Sequence, residues 1–209
     1  MKTEAHIRYR NKEGKIVPGA TTIVNLLAKP ALIIWANRLG LQGIDSTKFR
    51  DEAAGIGSLA HYLILAYLRG EKPDTSDYTP NQLDLAENCL LFYFDWEKGH
   101  QLESVLIETP LVSEEYQFGG TPDWYGRLDG DYTLIDYKSG GVYEEAYYQV
   151  CAYRQLLIEN GYQAPTRIVI LGIPRSPDEA FTEQVYTSFQ SGWEIFEHLK
   201  AIYELRKKK

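Results

Sequence analysis

Asp123, Asp136 and Lys138 lie on either side of an Asp129-Gly130 dipeptide that is flanked by β-rich runs. Asp-Gly between such runs is the strongest short-range signal for a two-residue hairpin, because a type I′ turn needs positive φ at both central residues. The stretch from Gly119 to Gly140 therefore reads as two strands joined by this turn. With Asp129-Gly130 as the loop, Leu128 faces Asp131, and stepping back along each strand brings Asp123 opposite Asp136. Directly opposed side chains have Cβ atoms about 4.5–5.5 Å apart, and like charges there repel. Side chains alternate along a strand, so Lys138 shares a face with Asp136. Two carboxylates and one ammonium then meet on one surface. Lys138 alone could relieve such a pair on an ordinary surface hairpin. A divalent cation is the stronger compensation, since Mg²⁺ and Mn²⁺ prefer hard oxygen ligands, often one or two carboxylates completed by water and substrate phosphate.

Other residues could serve the same surface. His61 falls within residues 47–69, where Ala53, Ala54, Gly57, Ala60, Ile64, Leu65 and Leu68 recur at helical spacing. It lies one turn after Gly57 on the same face. A neutral imidazole there could coordinate Mn²⁺ or Mg²⁺, or hold a metal-bound water, although a histidine on an apolar helix face is also an ordinary core residue. Glu108 interrupts the apolar run Ser104–Pro110, read as the first core strand, and a carboxylate there needs either a partner or a solvated edge. Gln149 and Tyr153 are four apart on a helix over residues 143–159, hence on one face, where they could reach a phosphate or order a metal site. Arg154 is adjacent and could meet a phosphate. His6, His100 and His198 carry no comparable pattern.

Taken in chain order, these residues resemble a known set. Pro122-Asp123 followed by Asp136-Tyr137-Lys138 resembles the PD-(D/E)xK motif of the metal-dependent nuclease superfamily. Gln149-Val150-Cys151-Ala152-Tyr153 resembles the QxxxY motif of its RecB-like exonuclease branch, and Gly55-Ile56-Gly57-Ser58-Leu59-Ala60-His61 is similar to that branch's G-x-x-x-H motif. Glu108 takes the place of the acidic residue on the strand before the hairpin. Each motif is short; their combination, spread over roughly residues 15–190, is specific.

The resemblance implies an α/β fold: a restriction-endonuclease-like core with a central mixed β-sheet flanked by helices, plus N-terminal accessory helices. It implies a stand-alone DNA exonuclease acting in recombination, repair or phage DNA processing. Mg²⁺ or Mn²⁺ would be held by Asp123 and Asp136, with His61, Glu108 and the backbone carbonyl of Tyr137 as further ligands or water-holders. Lys138 would orient the attacking water or stabilise charge on the phosphate. Gln149, Tyr153 and Arg154 would position the strand. An endonuclease of the same fold is the alternative within the superfamily. A non-catalytic DNA-binding or scaffolding module is the alternative outside enzymes, and the intact Asp123, Asp136 and Lys138 argue against it.

The elements that must position these residues follow from pattern. Residues 6–17 suggest a short hairpin. Thr21 and Thr22 would cap a helix over Ile23–Leu27; the resemblance implies a Trp-bearing helix after it, which Trp35 fits, its ring read as packing rather than base stacking. Residues 81–99 form a helix that closes at Gly99. Arg167–Gly172 is a buried strand with Thr182–Tyr186 as its edge neighbour, and residues 190–206 make a final amphipathic helix ahead of a solvated basic tail. One domain of 209 residues is expected: a helical part over 1–100 carrying His61, a catalytic core of sheet and helix over 101–190, and a C-terminal helix over 190–209.

Composition narrows the class. Cys89 and Cys151 offer no disulfide framework and no metal spacing, so the four-cysteine iron–sulfur cluster of some RecB-like proteins has no ligands here. No apolar run approaches the ~20 residues needed to span a bilayer, and Met1–His6 lacks a signal-peptide pattern, so cytoplasmic residence and no membrane partner are expected. No G-x-x-x-x-G-K-[ST] motif is present, so ATP-driven unwinding falls to another protein: DNA is the expected partner, with a helicase or recombination protein beside it. The net charge of −7 stands against a nucleic-acid binder, unless metal neutralises the acidic site and the 22 lysines and arginines gather locally.

Overall fold

Asp129 and Gly130 turn the chain as their types require, with φ of +54° and +91°. They join β4 (Trp124–Leu128) to β5 (Asp131–Ser139), and Leu128 pairs with Asp131, Tyr125 with Leu134 and Trp124 with Ile135. This is the expected register. In the computed structural model, residues 7–176 and 178–208 are described; His6 and the rest of the N-terminal hexapeptide, Pro177, and Lys209 of the basic tail lie outside the described residues.

The first strand of the hairpin is shorter than expected. Gly119 and Gly120 belong to β3 (Phe118–Gly120), which pairs with β2 (Leu111–Ser113) in a separate two-stranded sheet. Pro122 has no N–H to give a ladder, so the chain breaks there and re-enters the main sheet at Trp124. Asp123 thus sits just before β4. The first core strand, β1, also shifts: it runs Leu102–Ile107 at the edge of the sheet, and Glu108 lies one residue beyond it with φ +45°.

The main sheet has the order β1-β4-β5-β6-β7. β4 runs antiparallel to both its neighbours, β1 and β5; α5 (Glu144–Glu159) carries the chain across to β6 (Arg167–Ile173), parallel to β5; and β7 (Thr182–Tyr186) returns antiparallel at the far edge. β5 and β6 are buried on both faces, which is why they read as near-continuous apolar runs. Leu134, Ile168 and Ile170 point to one layer, with α1 (Ala20–Val24), α5 and α6 (Gln190–Lys207). Ile135, Tyr137, Val169 and Leu171 point to the other, with α3 (Ser46–Arg69) and α4 (Pro80–Glu97). The result is a mixed α/β fold with helices on both faces of a five-stranded sheet, as the resemblance implied, and helices preceding it in the chain.

Capping signals account for the long helices. Asp45 accepts from the amides of Thr47 and Lys48 at the start of α3, which stops at Gly70 with φ +67°. Thr79 and Gln82 close a capping box at α4 behind Pro80. At α1 the capping expectation fails: Gly19 is the cap, and Thr21 and Thr22 lie inside the helix. The N-terminal hairpin reduces to one bridge, Arg10 to Ile16. Between α1 and α3 lies α2 (Pro30–Leu41), which buries none of its residues. Among the described residues no helix is long and apolar enough to cross a membrane.

Gly126 faces the bulged stretch of β1, where the register shifts between Ser104 and Leu106. A Cβ there would run into the backbone carbonyl of Glu103 and the Trp124 ring. Backbone cannot swing aside as a side-chain tip can. Gly126→Ala is therefore expected to lose about 1–3 kcal/mol in urea unfolding; a loss below about 0.5 kcal/mol would mean that β1 yields at its bulge.

Candidate active site

The cleft opens at the carboxyl ends of the parallel pair β5 and β6, the usual place for ligands in open sheets of this kind. It holds about 610 Å³ and is lined from four directions: His61 and Gly57 from α3, Glu108 and Asp123 from the segments flanking the β2–β3 sheet, Asp136 and Lys138 from β5, and Gln149 from α5. Gly57 brings α3 close to the end of β5, where an added Cβ would meet the Ser139 hydroxyl and force it to turn away. Glycine in a helix costs about 1 kcal/mol against alanine. Here it lets the next turn lay His61 over the sheet's end. The N-terminal stretch braces the other side: Tyr9 and Thr121 share a hydrogen bond of 2.9 Å just before Pro122-Asp123.

Asp123 is held firmly. Its Oδ2 accepts from the Tyr137 amide at 2.8 Å and from His61 Nε2 at 2.9 Å, and its backbone carbonyl accepts from the Glu108 amide at 2.8 Å. Burial opposes its ionisation, but His61, Lys138 and the Tyr137 amide outweigh burial and hold the carboxyl below its usual range. His61 responds in kind: burial would lower its pKa, and Asp123 raises it further than that.

Asp136 is different. It is 1% exposed. Lys138 Nζ lies 2.6 Å from its Oδ2 as a charged partner, while its buried Oδ1 has no hydrogen-bond partner. Burial first, and then the neighbouring Asp123 charge, push this carboxyl up to about 6 against the pull of Lys138. Lys138 is half-buried, and the two carboxylates raise its pKa against the effect of burial, so it keeps its charge.

These donors suit a small hard cation. Two carboxylates on one rim, one of them buried with an unpartnered oxygen, are the oxygen pair that Mg²⁺ commonly uses, with water completing the shell. Among the described residues no three His, Cys, Asp or Glu side chains form a ready metal-ligand group. His61 Nε2 is engaged by Asp123, and the Glu108 carboxylate by Arg69 Nη2 at 3.0 Å. Glu108 lines the cleft from a loop rather than from the strand expected of it, in a positive-φ conformation unusual for its type.

The proposed strand-positioning residues divide. Gln149 lines the cleft, and its Nε2 donates to Tyr153 Oη at 2.5 Å and to Thr21 Oγ1 at 3.1 Å. Tyr153 is buried behind it, its ring packed where a Cβ on Gly120 would fall. It orients Gln149 and is not placed to touch a phosphate. Arg154 is not among the residues that line the cleft: its Nε donates to the Pro165 carbonyl at 3.0 Å, and its guanidinium lies 4.5 Å from the Phe189 ring centroid. A residue next to Tyr153 on a helix points a different way, which is the physical reason. The sequence reading missed Arg50 and Arg175, which both line the cleft. Arg175 follows the carboxyl end of β6, and that position was the available signal.

No protein-family model matches the chain, and no curated protein sequence matches it. Solved structures do show likeness. A candidate exonuclease from Eubacterium rectale is 13% identical with a TM-score of 0.48, over 70% of this chain and 68% of that one. The alkaline exonuclease LHK-Exo from Laribacter hongkongensis is 17% identical with a TM-score of 0.38, over 75% of this chain and 86% of that one.

The buried Asp136 carboxylate sets a pH test. Asp136 titrates at about 6 in the folded chain, against about 4 unfolded. Between those values the folded chain holds a proton that the unfolded chain has released, so metal-free stability falls as pH rises through that window and the full cost stands above it. Asp136→Asn removes the cost. In EDTA at pH 8 the variant is expected to be the more stable by on the order of 1–3 kcal/mol, with the gap closing toward pH 4. Mn²⁺ should raise the melting temperature of the wild type and not of the variant. A variant less stable than wild type at pH 8 would mean that the Lys138 pairing dominates.

Proposed function

We propose that this protein is a metal-dependent deoxyribonuclease of the RecB-like exonuclease kind, hydrolysing phosphodiester bonds in the Asp123–Asp136 cleft. The observation that carries the reading is Asp136, a buried carboxylate whose Oδ1 has no hydrogen-bond partner, beside a second carboxylate and a charged lysine. A bound Mg²⁺ or Mn²⁺ would neutralise phosphate charge and lower the pKa of water.

The chain's own residues supply the rest. Asp123 and Asp136, which both line the cleft, would hold the cation, with the Tyr137 carbonyl as the further ligand that the resemblance implies. His61 fixes the orientation of Asp123 through its Oδ2, which leaves Oδ1 for a ligand. Lys138, still protonated between two carboxylates, is placed to orient a water or to stabilise negative charge building on the phosphate. Gln149, steadied by Tyr153 and Thr21, offers an amide to the strand. Glu108, paired with Arg69, lines the cleft just beyond β1 and would serve as a further ligand or water-holder. The reading extends to DNA recombination, repair or phage DNA processing, with unwinding supplied by a helicase or recombination protein.

The decisive assay offers linear and covalently closed circular DNA with Mn²⁺, with Mg²⁺ and with EDTA. Linear DNA is expected to shorten from its ends in either metal and not in EDTA. Closed circles should survive. Asp136→Asn should abolish the activity, and Tyr153→Phe should lower it about tenfold or less, since that change removes only one hydrogen bond behind Gln149. Internal fragments from closed circles would establish an endonuclease instead. No cleavage of any DNA form in either metal would leave a non-catalytic DNA-binding module.

A further inference from the structure

Beside the cleft lies a hollow that the chemistry above does not use. It holds about 570 Å³ between α2, the first half of α3 and the Ser139–Gly141 turn. Trp35, Phe49 and Tyr143 line it together with Arg38, Arg50 and Arg175, and no Asp or Glu is among its described lining residues. In a chain of net charge −7 this is a local inversion of sign. Trp35 and Phe49 meet edge to face with ring centroids 6.0 Å apart. The surrounding helix is apolar yet uncovered: Ile33 is 74% exposed and Ile34 64%.

The hollow is continuous with the cleft, since Arg50, Ser139 and Arg175 line both. Arg50 pairs with exposed Asp51 at 2.7 Å and Arg175 with Glu179 at 2.8 Å. The exposed Arg50–Asp51 pair contributes little and can be exchanged for a phosphate; the half-buried Arg175 is held by Glu179 through its backbone amide and guanidinium, which fixes it at the junction of hollow and cleft. Arg38 makes no ion pair among the described residues.

Aromatic rings and guanidinium groups without a carboxylate suit a flat ligand that carries an anion. A nucleotide is such a ligand, because every base has a π-face and every linkage a negative charge. A base inside a duplex has both faces covered by its neighbours. The fitting occupant is therefore an unpaired nucleotide. A second protein surface would also cover Ile33 and Ile34, but it gives no reason for three arginines lining a hollow that no Asp or Glu among the described residues lines, beside the cleft of the proposed nuclease.

We infer that the α2 shelf stacks an unpaired nucleotide of the same strand whose phosphate enters the Asp123–Asp136 cleft, so that single-stranded ends are the preferred substrate. This rests on the nuclease reading and replaces the purely packing role expected of Trp35.

The test measures binding in EDTA, where cleavage cannot intervene. Wild type, Trp35→Ala and Trp35→Phe are each titrated with labelled oligothymidine and with an abasic phosphodiester chain of equal length. Trp35→Ala is expected to weaken oligothymidine binding about tenfold, the scale of one lost base–aromatic stack, and to leave abasic binding unchanged. Trp35→Phe, which keeps a ring and guards against a folding defect, should retain the affinity while losing the quench of tryptophan fluorescence seen with wild type. Equal weakening on both chains, or none on oligothymidine, overturns the inference. So does a dimer that Trp35→Ala converts to monomer in sedimentation, because the shelf would then be covered by a second copy. Cleavage by the wild type in Mn²⁺ is read in parallel. Base-dependent binding without cleavage supports the shelf and sinks the nuclease reading; cleavage without base-dependent binding sinks the shelf alone.

Discussion

Asp136 is a carboxylate where burial strongly disfavours its charge, and much of the molecule is arranged around that fact. It sits on a central strand, paired with Ile170 on β6 and one residue before Tyr137, whose amide holds Asp123. Moving a carboxylate from water into a protein interior costs several kcal/mol unless hydrogen bonds or a counter-charge compensate. Asp136 has a counter-charge in Lys138 at its Oδ2 and no partner at its Oδ1. The same strand that places it there is locked into the sheet on both sides, so the chain cannot relieve the cost by turning the side chain out to solvent. An unrelieved polar group held by a rigid core is what a preorganised ligand site looks like before its ligand arrives.

The two carboxylates are pushed apart electrostatically by how each is held. Asp123 has an imidazole and an amide on one oxygen, and it titrates low; Asp136 has neither, and it titrates high. Unlike environments on paired acids are a common mark of functional sites, although structural ion pairs also shift pKa values. Here the asymmetry has a simple origin in the fold. Asp123 lies in the break between two sheets, within reach of α3. Asp136 lies inside the ladder, where only neighbours on its own strand face can approach it.

Local signals were legible in the sequence and long-range pairings were not. The Asp129-Gly130 turn set the register that brought Asp123 and Asp136 to one rim, because turn chemistry is encoded in two adjacent residues. α3, α4, α5 and α6 followed from periodicity and caps, and Gly57 and His61 fell on one face because four residues make about one turn. The β2–β3 sheet was not legible: its strands are three residues each and carry no alternation to read. Arg69 meeting Glu108, Gln149 reaching Thr21 and Arg154 turning to Pro165 join residues distant in sequence or depend on which way a side chain leaves its helix. Spacing alone carries no information about either.

The acidic character of the chain and its proposed substrate are reconciled by distance. At an ionic strength near 0.15 M the Debye length is about 8 Å, so a phosphate in the cleft responds to the charges lining it and very little to those on the far helices. Those lining charges are mixed by the fold: Asp123 and Asp136 at the end of the sheet, Lys138 beside Asp136, Glu108 tied to Arg69, and Arg50 and Arg175 on the side that opens toward α2. Cation binding at the carboxylates would remove the one negative patch on that path. What remains along it is arginine and aromatic surface. Overall charge then bears on solubility and on distant encounter, while the outcome of binding is decided by the few residues that the β5–β6 ends and α3 bring within one Debye length of each other.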